Sequence, residues 1–337
     1  MNWTNLHEYP NPEVETAWRE FLQRADFSAH YVSPEYFREP YFRNKKPFAV
    51  LAWHDDKVVG VATGLHEAGQ VSCGLKSRPQ CCFDKSAEPG VVATNLSKGL
   101  LEEAGSETLI TVYSMSPLDG LLTAGYRFEK QEGVVVLDLT RGAEALFKDF
   151  SGNRRTNVRG AIKRGIEVST ATTREDFEAY YDVYAKWCAR KMQEPVRFET
   201  FEEALLLTNN RRLFLARFEG NVIAGVVIRL SPKGMIEYAA NSSLEQDLKL
   251  KPNDLLHWRV IEWACSEGYT SYNLAGAHLF LRKMGGAILP VYRYRLDRTW
   301  LHRHELKESL GHSGRKIFQK LPVGVQNQVR RALKRDG

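Results

Sequence analysis

The sequence lacks several features that would assign it to a familiar class of protein. No apolar run approaches the roughly 20 residues that cross a bilayer, and no basic segment with an apolar run opens the chain, so we expect no transmembrane helix or signal peptide. The five cysteines contain no CxxC pair, which favours a reducing compartment over a disulfide framework. Motifs of the forms GxGxxG, GxxxxGK[ST], GxSxG and HExxH are absent as well. We therefore expect a cytoplasmic protein that holds no metal.

The composition is that of a soluble globular chain. Its 337 residues are 43% hydrophobic and 26% charged, and the length suits two domains of ordinary size. The net charge of +6 comes from residues 311–337, which hold seven Lys and Arg residues against one Asp. Expectations about nucleic acid or anionic membrane therefore depend on this tail and on one internal basic segment.

One supersecondary unit occurs twice. Leu51–Val61 and Leu215–Val226 each read as strand, short turn and strand, and each is followed by a probable helix and a further strand. The second helix, Pro252–Gly268, has Pro, Asn and Asp as start signals and Gly as a stop signal. The sequence thus predicts an α/β (α+β) fold of two similar domains, each a mixed, mostly antiparallel sheet flanked by helices. We place the domains at residues 1–140 and 141–300, with a basic helical tail at 301–337.

The segment Ser151–Gly165 holds five basic residues and no acidic one. On a helix, Arg155, Arg159 and Lys163 share one ridge, while Arg154 projects inward beside Val158, Ala161 and Ile162. Cations in a first helical turn oppose the helix dipole, whereas an anion there would bind both guanidinium groups and free N–H groups. The segment therefore indicates either an anion site containing Arg154, Arg155 and Arg159, or a solvated helix whose Arg154 pairs with an Asp or Glu elsewhere.

The order of four blocks resembles a known family. They are "NRRTNVRGAIKRGIEVS", "LFLARFEGNVIAGVVIRL", "KPNDLLHWRVIEWACSEGYTSYNLAGA" and "HLFLRKMGGAILPVYRYRLDR". Together they resemble acyltransferases of the GNAT superfamily that carry two tandem GNAT-like domains, both the Fem-type aminoacyltransferases and the CelD-like acetyltransferases of exopolysaccharide clusters. The first 130 residues match in layout only. The resemblance implies an acyltransferase with an acyl-CoA donor, most simply acetyl-CoA.

The sequence departs from this family at two places. The stretch "SSLEQDLKLKPND" lacks the glycines of the common CoA-binding loop, and Leu281 stands where Fem-type enzymes have a lysine after Phe280. Arg282 or Lys283 is the candidate substitute for that lysine, and we take Lys283 as a substrate-binding residue. An aminoacyl-tRNA donor and a non-catalytic scaffold in polysaccharide or envelope synthesis therefore stay open as alternatives.

Catalysis of this type requires an amine to lose a proton and a leaving group to gain one. In "IEYAANS", Glu237 is the candidate base, Tyr238 the candidate acid and Asn241 the candidate group that orients the acyl chain. Strand alternation predicts Glu237, Ala239 and Asn241 on one face and Tyr238 and Ala240 on the other. An ordinary half-exposed strand is the alternative interpretation.

The remaining candidates concern binding. Asn273 and Tyr292 lie in later strands, where they would contact substrate or pack internally. Lys249, Lys251 and Asn253 surround the start of the main helix, a suitable position for donor phosphates.

We therefore expect transfer of an acyl group to an amine, or to a hydroxyl, of a polar acceptor that contains a sugar or an anionic group. The basic tail, with an apolar residue every fourth position, predicts peripheral contact with the inner face of an anionic membrane or with tRNA. A helical pair packed on the body is the alternative for the tail.

Overall fold

The computed structural model of the protein describes residues 2–207, 210–231, 234–304, 306 and 308. Most of the predicted basic tail, from residue 309 onward, lies outside these residues, so its predicted membrane and tRNA contacts stay predictions. All five cysteine thiols are free, and four of them are buried. No helix of the described ranges is long and apolar enough to span a bilayer.

The helices begin where the sequence supplies start signals. The Asn11 side chain caps the first helix by accepting a hydrogen bond from Val14 N–H, and Thr173 and Asp176 form a reciprocal capping box on the sixth. The helices are Pro12–Arg24 (α1), Pro89–Ala104 (α2), Gly120–Thr123 (α3), Ala143–Asp149 (α4), Gly152–Lys163 (α5), Arg174–Lys191 (α6), Phe198–Leu206 (α7), Pro252–Ser266 (α8) and Leu279–Arg282 (α9).

The strands form one continuous, mixed sheet. In spatial order its main path is β1-β2-β3-β4-β7-β14-β8-β13-β12-β11-β10-β9, with β5 and β6 attached beside it. The strands are Asn2–Leu6 (β1), Lys46–His54 (β2), Lys57–Glu67 (β3), Gln70–Leu75 (β4), Arg78–Pro79 (β5), Cys81–Phe83 (β6), Leu109–Ser114 (β7), Arg127–Asp138 (β8), Glu167–Thr170 (β9), Arg211–Phe218 (β10), Asn221–Leu230 (β11), Met235–Ser243 (β12), Ser271–Asn273 (β13) and Ala287–Asp297 (β14).

The predicted α/β class and the repeated hairpin are both confirmed. β2–β3 and β10–β11 are antiparallel hairpins, and each carries a register shift before its turn. Helix α2 packs against the first hairpin, and α8 packs against the second. Two large apolar cores, one in each half of the molecule, lie between these helices and the sheet.

Strand β14 joins the two halves. It pairs with β7 on one side and with β8 on the other, and β8 pairs in turn with β13. A strand from the second predicted domain therefore lies between two strands of the first. The division near residue 140 stays a prediction.

Helix α5 is present where the basic segment predicts a helix. Arg154, Val158 and Ala161 are buried as expected, but Ile162 is 44% exposed, so its predicted core position is wrong. Ile162 follows Ala161 by about 100° around the helix. That rotation moves Ile162 out of the narrow face that packs on the core.

Candidate active site

The starts of helices α5 and α8 converge on one cavity of about 490 Å³, here called the helix-end cavity. Neither helix has a side-chain hydrogen bond at its N-cap, so N–H groups of both first turns remain available for a ligand. The cavity is lined by Ser151, Asn153, Arg154, Asn157, Leu248, Lys251, Pro252, Asn253, Asp254, Leu279, Phe280 and Lys283.

A buried ion pair connects the two helices at the base of this cavity. Arg154 Nη1 donates to Asp254 Oδ1 at 2.5 Å, and Arg154 Nη2 donates to the Phe280 carbonyl at 2.6 Å. The guanidinium carbon also lies 3.6 Å from the centroid of the Phe280 ring. Asn157 donates to the second oxygen of Asp254 at 3.2 Å. The structure thus supplies the carboxylate partner that one interpretation of the basic segment required.

Burial works against both charges of this pair. It lowers the pKa of Arg154 and raises the pKa of Asp254, while each partner's charge opposes the shift of the other. Of the three guanidinium nitrogens of Arg154, Nε alone has no hydrogen-bond partner among the described residues. Arg154 therefore organises the cavity floor, and its predicted contact with substrate stays a prediction.

The entrance of α8 is built without the glycines of the common CoA-binding loop. A 3-10 turn, Leu248–Leu250, leads to Lys251, which adopts a left-handed conformation with φ of +65°. A lysine in this conformation is strained by about 1–3 kcal/mol, and Pro252 starts the helix directly after it. Asn253 donates to Ser243 Oγ at 3.3 Å and leaves its own Oδ1 unpartnered. The turn thus brings Lys251 and Asn253 to the wall of the cavity.

The structure brings together four of the predicted binding residues, Arg154, Lys251, Asn253 and Lys283, around the helix-end cavity. Lys283 is exposed beside the cavity, whereas Arg282 donates through Nε to the Ala277 carbonyl. Of these two candidates, only Lys283 lines the cavity, and its role in place of the lysine of Fem-type enzymes stays a prediction.

Arg155 and Arg159 lie elsewhere. They line a different cavity of about 500 Å³, beside Phe147 and Trp258. Nη1 of Arg155 donates to the carbonyls of Lys148 and Phe150 at 2.8 and 2.5 Å, where helix α4 ends. The predicted three-arginine anion site is thus split between two sides of α5.

Two further candidates also lie outside the helix-end cavity. Lys249 is exposed in the 3-10 turn and does not line the cavity. Tyr292 packs against the core of the first half and stacks on Phe128, with ring centroids 5.8 Å apart.

Strand β12 departs from simple alternation. Its register with β11 shifts between Val227 and Ile228, so that Ala239 is an extra residue in the pairing. Tyr238 packs on the core beneath α8, and Ala239 packs on the opposite face. The bulge explains why strand alternation could not place Ala240 and Asn241.

The candidate base, Glu237, and the candidate orienting group, Asn241, both contact other groups of the protein. Glu237 is 1% exposed, accepts a hydrogen bond from His30 N–H at 3.2 Å and lies 3.6 Å from Arg229 Nε. Asn241 Nδ2 donates to the Gly225 carbonyl at 2.8 Å. Their predicted roles stay predictions.

The sheet opens beside Tyr238. The parallel pairing of β12 with β13 ends at Glu237 and Asn273, while β12 continues to Ser243. Asn273 is buried, and its Nδ2 has no hydrogen-bond partner. The gap between the diverging strands therefore has the Tyr238 ring on the face beneath α8, where Tyr272 also packs, and the Asn273 amide on the opposite face by strand alternation.

A chain of rings links this gap to the helix-end cavity. The His257 ring lies 5.4 Å from Tyr238 and 5.9 Å from Phe280, measured between centroids. Burial and the charge of Arg154 lower the pKa of His257 to about 3, so its imidazole is neutral near pH 7. Burial raises the pKa of Tyr238 to about 12, which keeps its phenol protonated.

Sequence reasoning missed Asp254, Asn157 and Phe280 as parts of the site. Asp254 could have been found in the sequence, because an acidic residue directly after a basic helix start is a candidate partner for an arginine that projects into the core. Within the described ranges, no cluster of three or more His, Cys, Asp or Glu could hold a metal ion.

The chain is similar to known proteins in one family model and in its fold. Residues 152–283 match the family model described as an acetyltransferase (GNAT) domain, less than half of the chain. No curated protein sequence matches. Among solved structures, FemX aligns over 87% of this chain and 97% of its own at 14% identity, with a TM-score of 0.65.

Two other structures share the fold. L-PGS from Bacillus licheniformis aligns over 87% of this chain and 93% of its own at 15% identity, with a TM-score of 0.57. A tandem GNAT protein from the clavulanic acid biosynthesis pathway covers 89% and 99% at 12% identity, also with a TM-score of 0.57. The CelD-like group of the predicted resemblance is not confirmed. The second half of the chain therefore carries a GNAT acetyltransferase domain, and the protein is an acyltransferase.

Proposed function

We propose that the protein binds the phosphates of an activated acyl donor in the helix-end cavity and transfers the acyl group to an amine. The observation that carries this proposal is the convergence of two uncapped helix starts with Lys251 and Lys283 on one cavity. Helix N-termini and lysines both favour phosphate, and the floor of the cavity is already neutralised by the Arg154–Asp254 pair. Acetyl-CoA is the simplest donor, and aminoacyl-tRNA is the alternative that the resemblance implies.

The acyl group would extend from the cavity past Phe280 to the gap beside Tyr238. There the acceptor nitrogen attacks the acyl carbon, the bond from that carbon to the donor sulfur breaks, and the amine loses a proton. Tyr238 supplies the proton that the leaving thiolate takes, because its phenol is still protonated near pH 7. The free Nδ2 of Asn273 is suited to donate to the acyl oxygen as negative charge develops there. Glu237, on the opposite face of β12, keeps the role of proton acceptor in this scheme.

Calorimetric titration with acetyl-CoA tests the donor site. We expect micromolar binding that weakens for dephospho-CoA, and Lys283→Gln is expected to weaken acetyl-CoA binding by about tenfold because a charge-assisted contact is lost. Lys249→Gln is the matched control, since Lys249 is exposed in the turn before α8 but does not line the cavity. Its affinity should equal that of the unchanged protein.

Each other outcome of this titration has a definite meaning. If acetyl-CoA does not bind up to millimolar concentration but aminoacyl-tRNA binds and is lost with Lys283→Gln, the donor is aminoacyl-tRNA. If neither donor binds, or if the two lysine variants behave alike, the proposed donor site is wrong and the scaffold alternative gains support.

Tyr238→Phe is expected to lower kcat by about 10²–10⁴-fold with little change in the KM for donor, because it removes a proton donor and keeps the ring. Initial rates with a thiol-detecting reagent would measure this effect once an acceptor is known. Tyr292→Phe serves as the control, because it also removes a phenol hydroxyl, but from a ring that packs against the core of the first half. An unchanged kcat for Tyr238→Phe would remove Tyr238 from the mechanism.

A further inference from the structure

A second cavity, of about 280 Å³, is lined by residues of both halves of the chain and borders β12 at Ala239 and Ala240. It is here called the arginine cavity. Its charged lining consists of Arg78 from the first half and Arg211 and Arg229 from the second. The family match and the predicted site residues do not explain why three guanidinium groups meet in so small a space.

The arginine cavity contains one more positive charge than negative. Arg211 donates to Glu39 at 2.5 Å, and Arg229 lies 3.6 Å from Glu237. Arg78 is the third guanidinium of the group, so that three cations face two carboxylates. Burial lowers the pKa of His30, which lies between Glu39 and Glu237, and its neutral form adds no charge.

Each of the three arginines has one N–H group that makes no hydrogen bond to the described residues. Arg211 and Arg229 are 4% and 7% exposed, yet Nη1 of Arg211 and Nε of Arg229 make no hydrogen bond, and neither does Nε of Arg78. Buried charged donors without partners are costly, so these groups favour an anionic ligand. Burial lowers the pKa of Arg78, and the nearby Arg229 charge adds to this shift.

The walls of the arginine cavity are aromatic. The guanidinium carbons of Arg78 and Arg229 lie 4.4 and 4.7 Å from the centroid of Tyr31. Arg211 lies 5.6 Å from the centroid of Tyr41. Burial raises the pKa of Tyr41, so its phenol is neutral and contributes no anion. A ligand here would place a flat or apolar body against rings and an anionic group against the guanidinium forks.

The position of the arginine cavity relates it to the reaction. The bulge in β12 directs both Ala239 and Ala240 to its wall, while Tyr238 on the same strand packs beneath α8. The cavity therefore borders β12 directly after Tyr238, on the face opposite the core in which Tyr238 packs. Glu237, the proposed proton acceptor, lies 3.6 Å from Nε of Arg229, which lines the cavity.

We propose that the arginine cavity binds the acyl acceptor, and that this acceptor is a small carboxylate with a flat or apolar body. The proposal rests on the proposed function. A single excess positive charge matches a monoanion such as a carboxylate better than a phosphate, which carries about −1.5 to −2 at pH 7. The planar guanidinium fork also fits two carboxylate oxygens. The volume of about 280 Å³ suits a molecule of the size of an aromatic amino acid rather than a large sugar conjugate.

Fluorine NMR of the full chain with 4-fluoro-L-phenylalanine, 4-fluorobenzoate and the carboxamide of each, which differs from its acid by one negative charge, tests this proposal. We expect at least one carboxylate to bind about tenfold or more tightly than its own carboxamide, because only the carboxylate group places a negative charge against the guanidinium groups. Arg78→Gln is expected to remove most of this preference and to fold, since it leaves both ion pairs with Glu39 and Glu237 intact. Ala240→Leu should block the cavity by volume without changing any charge. Arg43→Gln is the control, because Arg43 is exposed and pairs with Glu203 outside the cavity.

The proposal is overturned if no carboxylate of the set binds at millimolar concentration, if the amides bind equally well, or if Arg78→Gln and Ala240→Leu bind like the control. These measurements need no donor. Failure of acetyl-CoA and aminoacyl-tRNA to bind would therefore refute the proposed donor site while carboxylate binding still stood, and the reverse result would locate the error in the acceptor site.

Discussion

Replacing Arg154 with methionine is expected to lower the free energy of unfolding by about 3–5 kcal/mol, the usual cost of removing one partner of a buried ion pair. The side chains of Arg154 and Asp254 are 4% and 9% exposed, so water cannot replace the lost partner. The variant would leave the Asp254 carboxylate buried, and it would also release the Phe280 carbonyl. Because the pair joins the starts of α5 and α8, donor binding in the helix-end cavity should be lost as well. Urea unfolding followed by circular dichroism measures the stability, and calorimetry measures the binding.

The double variant Arg154→Met with Asp254→Leu separates charge from packing. Replacing both partners of a buried pair by apolar residues is often neutral or stabilising, so most of the lost stability should return. Arg159→Met, on the exposed side of the same helix, is the control and should change stability by less than about 0.5 kcal/mol. Equal losses for Arg154→Met and the double variant would show that packing, rather than an uncompensated charge, determines the effect.

Gly133→Ala is expected to destabilise the protein by about 3 kcal/mol or more, although it adds a single methyl group. A Cβ at this position would overlap the carbonyl group of Leu289 and touch Pro290 on the neighbouring strand. The register of β8 with β14 shifts between Leu289 and Val291, where Pro290 has no N–H to contribute. The added methyl group would therefore force β14 away from β8. The thermal unfolding midpoint and the yield of folded protein measure this effect.

Gly90→Ala provides the comparison for this substitution. Gly90 is exposed in the first turn of α2, and an added Cβ would only approach the Glu88 side chain at 3.7 Å. Since alanine is the better helix former, the variant should be neutral or slightly stabilising. A Gly133→Ala protein that unfolds at the same temperature as Gly90→Ala would mean that the two strands can part at this point without cost.

The helices and hairpins could be predicted from local sequence signals. Contacts between distant parts of the chain could not be predicted in this way. Helix α8 and the two hairpins follow from capping residues, turn residues and periodicity, all of which act within a few positions. The inward direction of Arg154 also follows from helix geometry. Its partner Asp254 is 100 residues away, and no periodic pattern connects the two.

The site shows the same limit. The sequence predicted Lys249, Lys251 and Asn253 near donor phosphates and Lys283 as a substrate-binding residue. The helix-end cavity is lined by Lys251, Asn253 and Lys283 but not by Lys249. No sequence signal near Ala239 predicts the bulge there, because a bulge depends on how β12 pairs with β11. Nothing local brings Arg78 to Arg211 and Arg229 either, since these residues come from opposite halves of the molecule.

The interleaved position of β14 has a consequence for how the chain acquires its structure during synthesis. Strands β7 and β8 leave the ribosome long before residues 287–297, yet their facing edges stay unpaired until β14 arrives between them. Closing that gap requires contacts between residues more than 150 positions apart, which slows folding. Two open strand edges during this interval invite pairing with other chains. The nascent protein thus depends on β14, the last strand of the described residues, to complete the sheet of its first half.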